Sequence, residues 1–190
     1  GYGITDSLEL DVTIPYDWGN SDITGFEDTA FTLKHRILNE GKYWPSIAYI
    51  ISASLNSGKN ELSTEGSIGG GIILSKRIGP VNTHANILYF RPGSSNFTDD
   101  ITFALGLDFS AAYNVHVLAE LYGKKSYAGK IDRLEARLGY RLVTADSFFT
   151  TLGAGFDMKN RSPEFRLLLT FSYIFPQDKK PIQRIIEEEE

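Results

Sequence analysis

The sequence predicts an all-β fold, a transmembrane antiparallel up-and-down β-barrel with ten strands in this chain, or twelve if N-terminal strands precede it. Three observations carry that expectation. Apolar and polar residues alternate through ten stretches, short and long connections alternate between them, and aromatic residues gather where the stretches end. Composition narrows the rest. The 190 residues suffice for one domain. With no Cys, a disulfide scaffold, Cys-ligated zinc, an iron–sulfur cluster and a thiol nucleophile are all excluded. A net charge of −5 and a pI near 5.3 remove the basic footprint that nucleic acid requires. No run of 18 apolar residues offers a transmembrane helix. Mean hydropathy of −0.19 suits a soluble globule, and equally a barrel whose polar residues line its inside.

The elements follow in order. Leu8, Leu10, Val12, Ile14 and Tyr16 alternate with Glu9, Asp11, Thr13, Pro15 and Asp17, the two-residue period of a strand. Phe31, Leu33 and Ile37 come next, against Thr32, Lys34 and Arg36. Ile47, Tyr49, Ile51, Ala53 and Leu55 form a third apolar row. Ile68, Gly70, Ile72 and Leu74 form a fourth, opposite Gly69, Gly71, Ser75 and Arg77. Val81, Thr83, Ala85, Ile87 and Tyr89 oppose Asn82, His84 and Asn86. The second half is more regular. Ile101 to Ala111 alternates with Thr102, Ala104, Gly106, Asp108 and Ser110, and Val115, Val117, Ala119 and Leu121 with His116, Glu120, Tyr122 and Lys124. Leu134 to Leu142 opposes Arg133, Glu135, Arg137, Gly139 and Arg141. Phe148 to Phe156 opposes Thr151, Gly153, Gly155 and Asp157, and Phe165 to Phe175 opposes Arg166, Thr170 and Ser172. Ten long strands in one small domain close into a barrel because closure removes their edges.

Alternation alone leaves two orientations, apolar face inward as in a soluble lipocalin-like carrier, or outward to lipid. Connection lengths favour the second. Residues 78–80, 112–114 and 143–147 are tight, with 39–45 somewhat longer, whereas 18–28, 56–66, 92–100, 124–130 and 159–164 are long and polar. Short periplasmic turns and longer external loops have this arrangement. Tyr16 and Trp18 mark the loop end, and Trp44, Tyr113, Tyr140, Phe148, Tyr173 and Phe175 the turn end, as interfacial girdles require. Parity then places both termini in the periplasm of a bacterial outer membrane. Tyr2 to Asp6 reads as a further periplasmic turn. The chain divides into a barrel over 1–176 and a polar, acidic periplasmic tail over 177–190, in which Ile182, Ile185 and Ile186 stand at near-helical spacing.

Several strings resemble a known family. They are Tyr-Gly-Ile-Thr-Asp-Ser-Leu-Glu-Leu (2–10), Gly-Phe-Glu-Asp (25–28) with Lys34-His35-Arg36, and Leu-Ser-Lys-Arg-Ile-Gly (74–79), supported by Pro45, Gly58 and His84-Ala85-Asn86. The family is that of bacterial outer-membrane proteins named for transport in the MetA-pathway (phenol meta-cleavage). The resemblance implies passive transport or an envelope role over residues 1–175. Phe171, Tyr173 and Phe175 also resemble the C-terminal signal read by the barrel-assembly machinery, although fifteen residues follow it.

An outward apolar face makes the polar face a lumen. Its lining in the first half is Glu9, Asp11, Lys34, Arg36, Arg77 and His84. In the second half it is Asp108, His116, Glu120, Arg133, Glu135, Arg137, Arg141, Asp157 and Arg166. Counting back from the turn at 144–146 sets Arg133 opposite Asp157 and Arg137 opposite Gly153, within about two residues. The expectation is an Arg133–Asp157–Arg166 network, with Glu120 diagonal to Arg133 or Arg137 and room for the arginines left by Gly153 and Gly155. Such pairs fill and stiffen a lumen or line a pore that selects solutes. No catalytic residue, metal or cofactor is expected, because the three His lie on three strands without a partner at fixed spacing. The functions to weigh are a small channel or transporter for small solutes, aromatic ones among them, and a structural barrel that docks a periplasmic or extracellular protein. The remaining partner expected is outer-membrane lipid.

Overall fold

The structure, a computed structural model, describes residues 1–18, 24–126, 131–145, 147–159 and 165–173. Its strands in chain order are β1 (Tyr2–Gly3), β2 (Leu8–Thr13), β3 (Tyr16–Asp17), β4 (Gly25–Phe26), β5 (Ala30–Leu38), β6 (Ser46–Ser54) and β7 (Ser67–Ile78). They continue with β8 (Val81–Pro92), β9 (Asp100–Ala112), β10 (Val115–Ser126), β11 (Ile131–Ala145), β12 (Phe148–Asp157) and β13 (Phe165–Tyr173). Eleven of them form one sheet in the order β1-β2-β5-β6-β7-β8-β9-β10-β11-β12-β13, every neighbour antiparallel and adjacent in sequence apart from the β3–β4 ribbon. This is an up-and-down meander. The sheet is not closed: β1 and β13 are its edges among the described residues.

All ten alternating stretches became strands, β2 and then β5 to β13. Boundaries differ by a few residues: β10 runs on to Ser126 and β11 to Ala145, and the largest difference is in the first stretch. Alternation runs to Tyr16, yet β2 stops at Thr13, and Tyr16–Asp17 pairs instead with Gly25–Phe26 as a small ribbon. Pro15 explains the break, since it has no N–H to donate to the ladder. Tyr2–Gly3 is already strand, paired with Leu10 and Glu9, so the turn proper lies at Ile4–Ser7 and closes with the Ile4 N–H on the Leu8 carbonyl at 2.8 Å.

The apolar rows face out. Leu105, Leu138 and Leu169 are 55 %, 59 % and 58 % exposed, while Glu135 on the opposite face is 3 % exposed. Among the described residues only Ala48 is a buried hydrophobic, and no large side chain is fully buried. A soluble carrier needs the inverse arrangement, so the lipocalin-like reading is overturned. The fold is that of a transmembrane barrel, its strands of up to 15 residues long enough to cross the hydrocarbon at a tilt. Exposed Tyr43, Trp44 and Tyr113 lie at the turn end and Trp18 at the loop end. At the turn end Glu40 accepts from the Lys76 ammonium and the Arg77 N–H, each at 3.0 Å. The Arg77 N–H and then Lys76 hold its carboxyl below the usual range. Phe175 and the 177–190 tail lie outside the described residues.

The inner face is not uniformly polar. Ile50, Ile73, Leu88 and Phe90 share it with Lys34, Asn86 and Asp100. Leu88 and Phe90 lie over Gly71 and Gly69, where a Cβ would collide with them. The sheet therefore carries an apolar inner strip on β6–β8 and a charged one on β9–β13.

Candidate functional site

The charged strip is built by register. Glu120 stands opposite Arg137, Tyr122 opposite Glu135 and His116 opposite Arg141 across β10 and β11. Across β11 and β12, Glu135 stands opposite Asp157, Arg137 opposite Gly155 and Gly139 opposite Gly153. The pairing is two residues from the simple count, because β11 runs on to Ala145, opposite Phe148, and the hairpin turns later than 144–146. An even shift keeps every side chain on its face and changes only its neighbours.

That shift relocates the network. The expected Arg133–Asp157–Arg166 cluster centres instead on Glu135. Its Oε1 lies 2.9 Å from Arg133 Nε and 3.4 Å from Arg166 Nε, and its Oε2 accepts from Arg137 Nε and Nη2 at 3.0 and 2.9 Å. Arg137 also donates through Nη1 to Glu120 at 2.9 Å, and its guanidinium lies 4.2 Å from the Tyr122 ring centroid. Two strands, β11 and β13, thus share one buried carboxylate, and Arg137 ties it to Glu120 on β10, each ion supplying what the next must have to leave water. Asp157 sits beside Glu135 in the ladder and accepts the Lys159 N–H at 2.9 Å. Gly155 does leave room for an arginine, since a Cβ there would stand 3.3 Å from Arg137 Cγ. Gly153 does not; it faces the backbone of Leu138 and Gly139.

A second cluster lies four residues along the strands toward the turns, with the Leu118–Gly139 row between. Asp108 contacts His116 Nδ1 at 2.7 Å and accepts from Arg141 Nη1 at 3.1 Å. The Arg141 guanidinium lies over Phe149, 5.9 Å from its ring centroid. Between the clusters is a cavity of about 370 Å³ bordered by His84, Asn86, Asp108, Glu120, Arg137 and Arg141.

The remaining candidates are scattered. Glu9 and Lys34 pair at 2.7 Å, both half-exposed, and Asp11 stands beside Thr32 in the ladder. Arg36 donates to the Asp6 carbonyl at 2.8 Å, and Arg77 to the Gly79 carbonyl at 3.3 Å. Both serve turns and neither joins the charged strip. His84 contacts the Ser75 hydroxyl at 2.9 Å.

Asp28 was not singled out as a site, and the structure makes it a hub. It precedes β5 at the loop end and is 8 % exposed. Its Oδ1 accepts the Ser57 and Gly58 N–H groups and the Ser63 hydroxyl at 3.2, 3.0 and 2.7 Å. Its Oδ2 accepts the Thr64 N–H and hydroxyl, both at 2.9 Å, and the Gly66 N–H at 3.2 Å. Burial pushes this carboxyl up, but the Ser63, Gly58 and Thr64 hydrogen bonds outweigh it and hold it far below the carboxylate range. The only sequence signal was the Gly-Phe-Glu-Asp string itself.

A meander with exposed apolar rows on one face and a buried charge network on the other defines an outer-membrane-type β-barrel. In that class, the structure is similar to the crystal structure of an outer membrane channel from Pseudomonas putida F1, with a TM-score of 0.67 at 17 % identity, over 92 % of this chain and 80 % of that one. The likeness is one of fold. No protein-family model matches the sequence. No curated protein matches it either.

Proposed function

We propose that this protein is a passive channel of the bacterial outer membrane, passing small solutes along the charged inner face, with the tight turns on the periplasmic side. One observation carries the reading. Glu135 and three arginines occupy the face opposite the exposed leucine rows, and an arginine facing lipid at the bilayer midplane would cost about 2–4 kcal/mol. That similarity to an outer membrane channel supports the same assignment. The resemblance to the phenol meta-cleavage family supports small aromatic solutes as cargo. Outer-membrane lipid is the partner of the outer face. Phe171 and Tyr173, both exposed on β13, are the described part of the assembly signal.

A barrel of ten or twelve strands encloses far less space than 16–18-stranded porins, so conductance is small. Purified protein refolded into planar bilayers tests this. Reproducible steps that disappear on heat denaturation support a channel. A folded barrel that stays silent across the voltage range removes it and leaves the docking barrel.

A further inference from the structure

The cavity between the two charged clusters has a floor that the clusters leave bare. Leu118, Gly139, Gly153 and Leu168 are successive ladder partners across β10, β11, β12 and β13. They lay two leucines and two glycines side by side. Arg137 and Glu120 rise on one side of this row, Arg141 and His116 on the other, with Asp108 beside Leu118. The volume of about 370 Å³ lies in the range of small-molecule sites, ~300–1,000 Å³.

Donor and acceptor inventories differ across this space. Asp108 is engaged by His116 and Arg141, and Glu120 by Arg137. Arg141 donates one N–H to Asp108, while its buried Nε makes no hydrogen bond among the described residues. A guanidinium carries five donors and no acceptor. A cation entering here meets carboxylates each already neutralised by a cationic side chain, whereas an anion meets an arginine with donors to give. The leucine-glycine floor covers an apolar body and offers nothing to a second charge.

We propose that this cavity is a binding subsite for a small organic carboxylate, its head on Arg141 and its short apolar body over Leu118, Gly139, Gly153 and Leu168. The inference deepens the channel reading and rests on solutes reaching the inner face. Gly106 gives the means to test it without touching a charge. A Cβ there meets only His84 Cβ, at 3.9 Å, so a leucine at 106 grows into the cavity with no backbone in its way.

The experiment is equilibrium titration of the folded full chain in detergent micelles with sodium hexanoate, and with hexylammonium as the charge-reversed probe. Gly106→Leu and Arg141→Gln are compared, with folding checked by heat-modifiable gel mobility. Hexanoate is expected to bind saturably with one site, and hexylammonium and both variants to be weaker by about tenfold or more, the scale of one lost charged hydrogen bond. Arg141→Gln strips Asp108 of a partner and can fail to fold, in which case Gly106→Leu decides alone. Absence of saturable hexanoate binding, equal binding of hexylammonium, or a folded Gly106→Leu that binds hexanoate like the wild type would each overturn the subsite. Binding is read without conduction, so the two readings fail separately. A silent bilayer with saturable binding removes the channel and keeps the subsite, and conduction without binding does the reverse.

Discussion

Glu135 is buried and takes contacts from Arg133, Arg137 and Arg166, which are themselves partly exposed, so its removal is not equivalent to removing any one partner. Without the carboxylate, three guanidinium groups crowd one another with only Glu120 assigned to Arg137. Breaking a buried ion pair from one side costs about 3–5 kcal/mol, and Glu135→Ala is expected to lower unfolding stability by that amount in urea titrations of the protein in lipid vesicles. Glu9→Ala breaks the half-exposed pair with Lys34 and is expected to cost about 1 kcal/mol or less. Equal losses for the two would dethrone Glu135 as the hub. The sequence showed which face these charges share, because Arg133, Glu135, Arg137 and Arg141 fall on one parity. Which acid would stand at the centre depended on where the hairpin turns, past Ala145 and not at 144–146, a register choice that no local pattern announces.

The long connection between β6 and β7 is an ordered element in its own right, held by one carboxylate from the far side of β5. Asp28 reaches groups 29 to 38 residues away in the chain. Such partners leave no periodic trace, so 56–66 could be read only as polar and long. Asp28→Ala orphans those donors and is expected to cost about 1–3 kcal/mol locally, seen as faster proteolysis within 56–66 while the barrel keeps its gel mobility. Gly58→Ala should act alike, because a Cβ there would stand 2.8 Å from the Glu27 carbonyl carbon and 2.9 Å from the Asp28 nitrogen. The pH dependence has a definite sign. Asp28 titrates lower in the folded chain than unfolded, so the unfolded state binds more protons through that window and stability rises with pH. Its contribution is complete above about pH 4 and shrinks below it. The difference in loop protection between wild type and Asp28→Asn, followed by hydrogen exchange, should narrow as pH falls from 5 towards 3; a constant gap would show that the charge does not hold the loop. By contrast the strands themselves were legible to within a few residues, since a two-residue period sustained over ten stretches has no helical alternative. Pro15 marks the one place where backbone chemistry overrode that period.

At the scale of the whole molecule, the decision between a core inside and a core turned outward rested on features no single strand carries: alternating connection lengths, aromatic ends and glycines among inward charges. What escaped was the apolar inner strip, because Ile72-Ile73-Leu74 and Ile87-Leu88 run apolar through both faces and alternation is silent there. The orientation can be tested with two neighbouring residues of β13. Leu169 is the middle residue of Phe165–Tyr173 and points outward, while Leu168 pairs with Gly153 on the inner face. Chemically they are identical, and they differ only in the medium each side chain meets. An arginine at 169 must leave its charge in hydrocarbon or pull the strand toward an interface, and Leu169→Arg is expected to cost about 2–4 kcal/mol in lipid vesicles. An arginine at 168 enters a wetted, charge-lined space, and Leu168→Arg is expected to cost about 1 kcal/mol or less. In detergent the gap should shrink, since a micelle deforms around a charge more readily than a bilayer. Equal costs at the two positions, or a larger one at 168, would mean that lipid does not lie against the leucine rows.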